Sequence, residues 1–131
     1  MLFRSFKKGL DVVDENGKTY LYKDYTLKPS PPKSYAFCSD TAYSENIIPS
    51  IKDCNVLYHE ATFTEKEIDR AKSTLHSTAK QAATIALKAN VGKLLMGHLS
   101  ARFKNEKQHL TEAKSVFEMC TVVSDGDVIL I

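Results

Sequence analysis

With 131 residues, 43% of them hydrophobic and 26% charged, the chain can fill one domain with a real core but not two. A formal net charge of +2 is too weak to argue for a nucleic-acid partner by itself. No apolar run approaches the roughly 20 residues of a membrane span, and Met1-Leu2-Phe3-Arg4-Ser5-Phe6-Lys7-Lys8 lacks the apolar core of a secretion signal. Cys38, Cys54 and Cys120 are odd in number and form no C-x-x-C pair, which argues for reduced, core-packed thiols in a cytosolic setting.

In chain order, residues 2 to 8 predict a helix closed by Gly9. Asp11-Val12-Val13 and Lys18-Thr19-Tyr20-Leu21 flank Asn16-Gly17, a strong hairpin signal. The prolines of Lys28-Pro29-Ser30-Pro31-Pro32-Lys33 require an extended loop. A βα alternation follows: strand 34–39, helix about 44–52, strand 55–59, helices about 65–74 and 78–90, strand 93–97 and helix about 107–118. Two short strands, 120–123 and 128–131, are expected to finish the chain around Asp125-Gly126. Residues 1–30 read as a hairpin-containing appendage, and 31–131 as the main body. A sheet of three or four strands would leave an edge or face uncovered, so the body pairs with another chain or is a piece of something larger.

The chemistry-bearing residues stand where the strands end. Tyr35-Ala36-Phe37-Cys38 runs into Ser39-Asp40-Thr41, Val56-Leu57-Tyr58 into His59-Glu60, and Leu94-Leu95-Met96-Gly97 into His98. Parallel strands gather ligands outside their carboxyl ends, and His, Asp and Glu converging there suit a metal ion or proton transfer. Alternation along a strand lets only one of His59 and Glu60 face such a site. His76-Ser77 precedes a capping box, Thr78-Ala79-Lys80-Gln81, whose helix carries Ala79, Ala82, Ala83 and Ala86 as a smooth packing stripe. That places His76 ahead of a helix N-terminus, where anions are favoured and a proton can be given to a leaving oxygen. On the loop after His98, Ser100 and Arg102 suit a phosphate and Phe103 suits base stacking. His109 falls at a polar helical position and is expected to be solvated.

Together, Pro31-Pro32-Lys33, Ser39-Asp40-Thr41, His59-Glu60-Ala61-Thr62-Phe63, His76-Ser77-Thr78 and Gly97-His98-Leu99-Ser100-Ala101-Arg102 resemble, in that order, the ribonuclease Z family of tRNA 3′-processing endonucleases in the metallo-β-lactamase superfamily. The resemblance implies the C-terminal half of an αββα sandwich, with a mixed sheet and flanking helices. It implies metal ligation by Asp40 and His98 in a site for two Zn²⁺ ions. It also implies a proton-donating or phosphate-binding role for His76 and phosphate contacts from Ser77, Thr78, Ser100 and Arg102. Glu60 is expected to support His76. Leu75 stands where the family often has glycine before H-S-T.

The family's H-x-H-x-D-H zinc motif and its tRNA-gripping arm do not occur in this sequence. The expectation is therefore a C-terminal half, inactive alone, whose partners are precursor tRNA and an N-terminal half carrying that motif. A cytoplasmic homodimer without a membrane anchor is expected by the same resemblance. Two alternatives stand beside this one: another metallo-β-lactamase-fold phosphodiesterase, and a non-catalytic binding or oligomerisation half.

Overall fold

The computed structural model describes residues 2–131, which divide into two compact units, one ending at Pro32 and the other spanning Lys33–Ile131. In the first, helix α1 (Leu2–Phe6) ends in a turn closed by Gly9 at φ +72°. Strands β1 (Val12–Val13) and β2 (Thr19–Tyr20) form an antiparallel hairpin. Asp14 braces its turn by accepting the Asn16 and Lys18 amides at 2.9 Å each, and Gly17 supplies the left-handed residue at φ +79°. A four-residue helix the sequence did not signal, α2 (Tyr22–Tyr25), brings Tyr25 into a stack on Phe6.

The second unit is a four-stranded parallel sheet in the order β3 (Tyr35–Cys38), β4 (Val56–Glu60), β5 (Lys93–Gly97), β6 (Cys120–Val122). The helices between them are α3 (Ile48–Ile51), α4 (Ile68–Ser73), α5 (Ala79–Lys88) and α6 (Lys107–Lys114), with 3₁₀ turns leading into α3 and α4. Strands laid down in one direction with right-handed crossovers put α3, α5 and α6 on the same face, where they share one core. Burial agrees. Leu57, Leu94 and Met96 pack under the alanine stripe of α5, where Ala79, Ala82, Ala83 and Ala86 are fully buried. Each large aliphatic side chain buried there contributes about 1.5–3 kcal/mol.

The opposite face is only partly covered. Phe37 is 64% exposed and Tyr35 51%, although Phe37 stacks on Tyr58 at 4.7 Å. The expected strand over 128–131 does not form. Instead Val123, Ile129 and Ile131 line a hollow of about 290 Å³ over Tyr35, Val56, Tyr58 and Leu95. The last residues lie against the face of the sheet and leave the outer edge of β6 unpaired among the described residues. Gly97 belongs to this face as well, since a Cβ there would meet the Tyr58 hydroxyl at 2.3 Å. The glycine is required by the tyrosine lying across it.

Helix α6 stops at Lys114, short of the expected 118, and His109 on it is buried rather than solvated. Its ring stands edge-on to Phe103 at 4.5 Å, and neither nitrogen has a hydrogen-bond partner among the described residues. Burial pushes its imidazole below the ordinary value, against the pull of the nearby Thr62 backbone, which falls short of hydrogen-bond geometry, and of Glu112 and Glu67. A histidine with a depressed folded-state pKa binds its proton more readily when unfolded, so it costs stability as pH falls below the ordinary imidazole value of about 6.5. His59, also buried and depressed, acts in the same direction. Replacing His109 by Leu is expected to change stability at neutral pH by less than about 1.5 kcal/mol. It should also flatten the fall in stability below about pH 6.5, as read by urea unfolding across pH.

Candidate functional site

The site is organised around one buried carboxylate. Glu60 ends β4, is fully buried, and accepts five hydrogen bonds. Its Oε1 takes the Thr41 amide at 2.9 Å and His76 Nδ1 at 2.7 Å. Its Oε2 takes the Thr62 hydroxyl at 2.6 Å, the Ser77 amide at 3.1 Å and the Thr62 amide at 3.3 Å. Burial pushes the Glu60 carboxyl up, but the Thr62 hydroxyl, the Ser77 amide, His76 and the Thr41 amide together hold it below the usual carboxylate value. His59, its neighbour, points the other way as strand alternation requires, and its Nδ1 lies 2.7 Å from the Glu60 carbonyl.

Because a carboxylate only accepts, the His76 contact places a proton on Nδ1 and leaves Nε2 free for other partners. Thr62 relays the same constraint one residue further. Its hydroxyl proton goes to Glu60, so its oxygen accepts from His98 Nδ1 at 2.9 Å. His98 therefore also presents Nε2. The two imidazoles lie 5.3 Å apart, and His98 Nδ1 is 3.5 Å from Asp40 Oδ1. One donor atom from each of Asp40, Glu60, His76 and His98 falls within 4.8 Å of the others.

Backbone shape delivers these groups. His98 leaves β5 at φ +59°, a left-handed turn that swings it off the strand end. Leu75 adopts φ +59° as the chain leaves α4 for His76. This is a position where glycine carries no Cβ penalty, and the exposed leucine there packs little. Segment 61–64 acts as a seam: Ala61 and Ser100 exchange backbone bonds across it with Gly97 and Thr62, and Phe63 pairs with Ser77 and Ala79. The seam holds His98 and His76 to one rim.

Asp40, Glu60, His76 and His98 meet as the sequence reading expected, but Ser77 and Thr78 do not reach the surface. Both are fully buried. Ser77 Oγ donates to the Thr41 carbonyl at 2.7 Å, while Thr78 Oγ donates to Glu65 and accepts the Gln81 amide in the capping box. With their hydroxyls taken, they brace the site and have none left for a phosphate. Ser100 lines a polar hollow of about 490 Å³ beside His98; Arg102 is exposed on the same loop but outside that lining. Phe103 is half-buried, stands edge-on to His109 and lines the same hollow as Ser100. Thr62 was missed as a relay. Its signal was in plain sight, a hydroxyl two residues beyond a strand-end glutamate, on the same side of the chain.

As a metal site the donors divide in two. Asp40 and His98 are about half exposed and keep free donor atoms, whereas both oxygens of Glu60 are spent within the protein. Zinc takes three or four protein ligands. The chemistry of the open pair fits zinc but supplies only part of a set.

The fold places this chain in a recognisable class. The metallo-β-lactamase-fold protein YhfI from Bacillus subtilis matches 67% of the chain and 35% of its own, at 27% identity and a TM-score of 0.61. Human tRNase Z, short form, matches 72% of the chain and 30% of its own, at 28% identity and a TM-score of 0.54. The architecture is thus the C-terminal part of a metallo-β-lactamase-type αββα sandwich.

In sequence, the chain resembles ribonuclease Z over most of its length. It is 43% identical to the ribonuclease Z of Cytophaga hutchinsonii over 121 residues, 92% of the chain and 39% of that protein. It is 45% identical to that of Parabacteroides distasonis over 125 residues, 95% of the chain and 41% of that protein. The chain spans about two fifths of the length of these relatives. No family model matches it.

Two outcomes test the geometry. Glu60→Gln turns an acceptor into an NH₂ facing donors, and should lower the unfolding free energy by about 2–3 kcal/mol in urea titration. In the parent, Glu60's contribution is complete above the ordinary carboxylate pKa of about 4.3 and is lost as pH falls through its lower folded value. The glutamine variant should lack that part of the acid dependence. Leu75→Gly should leave the fold intact and be neutral or stabilising by up to about 1 kcal/mol, because relief of the left-handed strain outweighs the added chain entropy.

Proposed function

We propose that this chain supplies one part of the active site of a tRNA 3′-end processing endoribonuclease, a two-zinc phosphodiesterase. The observation that carries the reading is the Glu60–His76 contact at 2.7 Å beside the open pair Asp40 and His98. Asp40 and His98 would hold zinc, His98 through the nitrogen that Thr62 leaves free. Zinc bound there supplies activation of a water and neutralisation of phosphate charge. The water oxygen forms the new bond to phosphorus as the bond to the 3′ oxygen breaks in line. His76 in its imidazolium form, which Glu60 stabilises at Nδ1 and holds in orientation, gives the departing oxygen its proton from Nε2 and is left as the neutral ring. The products are a 3′-hydroxyl on the tRNA and a 5′-phosphate on the trailer.

The open ligand pair does not fill one zinc's coordination, so the remaining ligands and the general base would come from a segment carrying H-x-H-x-D-H. The partly uncovered apolar face with Phe37 and Tyr35 supports this, because in an αββα sandwich that face of the sheet is covered by a second sheet. A cytoplasmic location and a homodimer belong to the same reading; among the described residues no helix is long and apolar enough to cross a membrane.

The test is complementation. Alone, the chain should bind fewer than two zinc ions by native mass spectrometry and leave precursor tRNA uncut. Mixed with the completing segment it should cleave, and His76→Asn in that complex should lower kcat by about 10²–10⁴ with little change in KM. Two tightly held zinc ions in the isolated chain, or full activity in the asparagine complex, would overturn the proposal.

A further inference from the structure

His76 also lines a second hollow, of about 260 Å³, on the side away from β6, together with Ala42, Tyr43, Ile68, Lys72 and Gln81. Its lining is mostly apolar, with Ile68 partly exposed at its edge. The Tyr43 ring is fixed in direction, since its hydroxyl donates to Glu45 at 2.6 Å and Glu45 is in turn paired with Lys88. Gln81 is fixed as well. Its carbonyl oxygen accepts the Thr78 amide at 2.9 Å, which leaves the amide NH₂ as a free donor. Lys72 adds the one cation of the lining.

A pre-oriented aromatic ring, a fixed amide donor and an ammonium beside a phosphate-directed imidazole are the components of a nucleotide site. Unpaired RNA bases are held by stacking on aromatic side chains with hydrogen bonds to their edges, while cations follow the backbone. A phosphodiester that reaches His76 carries a nucleoside on either side, and this hollow adjoins that imidazole directly. Phe103, the aromatic residue that the sequence favoured for stacking, lines the other hollow, beside Ser100, and not this one. Tyr43 packs partly against the core and also lines this hollow beside His76.

We propose that this hollow seats the unpaired base next to the scissile phosphate, with Tyr43 as its stacking surface, the Gln81 NH₂ as its edge contact and Lys72 on the adjoining phosphate. The assignment rests on the reading of the preceding subsection. These residues bind and position substrate and take no part in bond breaking. They therefore decide how tightly a single-stranded end is held.

The experiment is an NMR titration of the full chain with a short single-stranded RNA and with the same RNA lacking one base, for the parent, Tyr43→Leu and Tyr43→Phe. The parent should bind the intact RNA about tenfold more tightly than the abasic one, with amide shifts at Tyr43, Ile68 and Gln81. Tyr43→Leu should lose that preference while binding the abasic RNA as the parent does, and Tyr43→Phe, which keeps the ring, should retain it. Equal binding of both RNAs by the parent, or equal weakening of both by Tyr43→Leu, would overturn the base assignment while leaving the cleavage reading intact. Shifts confined to the loop after His98 would do the same. Failure to bind either RNA would overturn this proposal, whereas the cleavage reading is judged separately by complementation.

Discussion

One buried carboxylate sets the geometry of this rim. Glu60 has been removed from water at the end of a central strand, a placement costly to an anion unless its oxygens are satisfied by donors. Here they are satisfied from three places in the sequence: Thr41 after β3, Thr62 beyond β4, and His76 and Ser77 ahead of α5. Each donor is thereby pulled toward a common point. Electrostatic need and site assembly are the same event, because segments that neutralise Glu60 also carry the groups that face solvent.

The effect reaches His98 through Thr62. A hydroxyl has one proton to give, and giving it to the carboxylate leaves its oxygen to accept from the imidazole. Both histidines are then held with the same nitrogen outward. Asp40 completes the group from β3, the edge strand, where it remains open enough to share. The division of labour is clear: buried polar residues fix orientation, and half-exposed ones are left to meet a ligand.

Much of this was legible in the chain. The βα alternation, the strand ends at Asp40, Glu60 and His98, and the capping box at Thr78 follow from local pattern, and the structure has them. Three things were not legible. Local pattern cannot tell whether a hydroxyl points outward or is drawn inward, so Ser77 and Thr78 look like phosphate contacts although the Thr41 carbonyl takes the Ser77 hydroxyl and Glu65 and the capping of α5 take that of Thr78. A polar residue in a helical pattern looks solvated until tertiary packing covers it, as Phe103 covers His109. The terminal Val128-Ile129-Leu130-Ile131 has the composition of a strand, but pairing needs a neighbour that local sequence does not supply.

The site turns on a proton arrangement that can be observed directly. Nitrogen-15 NMR of the histidine side chains, recorded well above the ordinary imidazole pKa, distinguishes the two neutral tautomers. The hydrogen-bond chain from Glu60 predicts that His76 and His98 both carry their proton on Nδ1 and present bare Nε2. Finding the proton on Nε2 in either ring would mean that the carboxylate does not orient it, and the site as described would not exist.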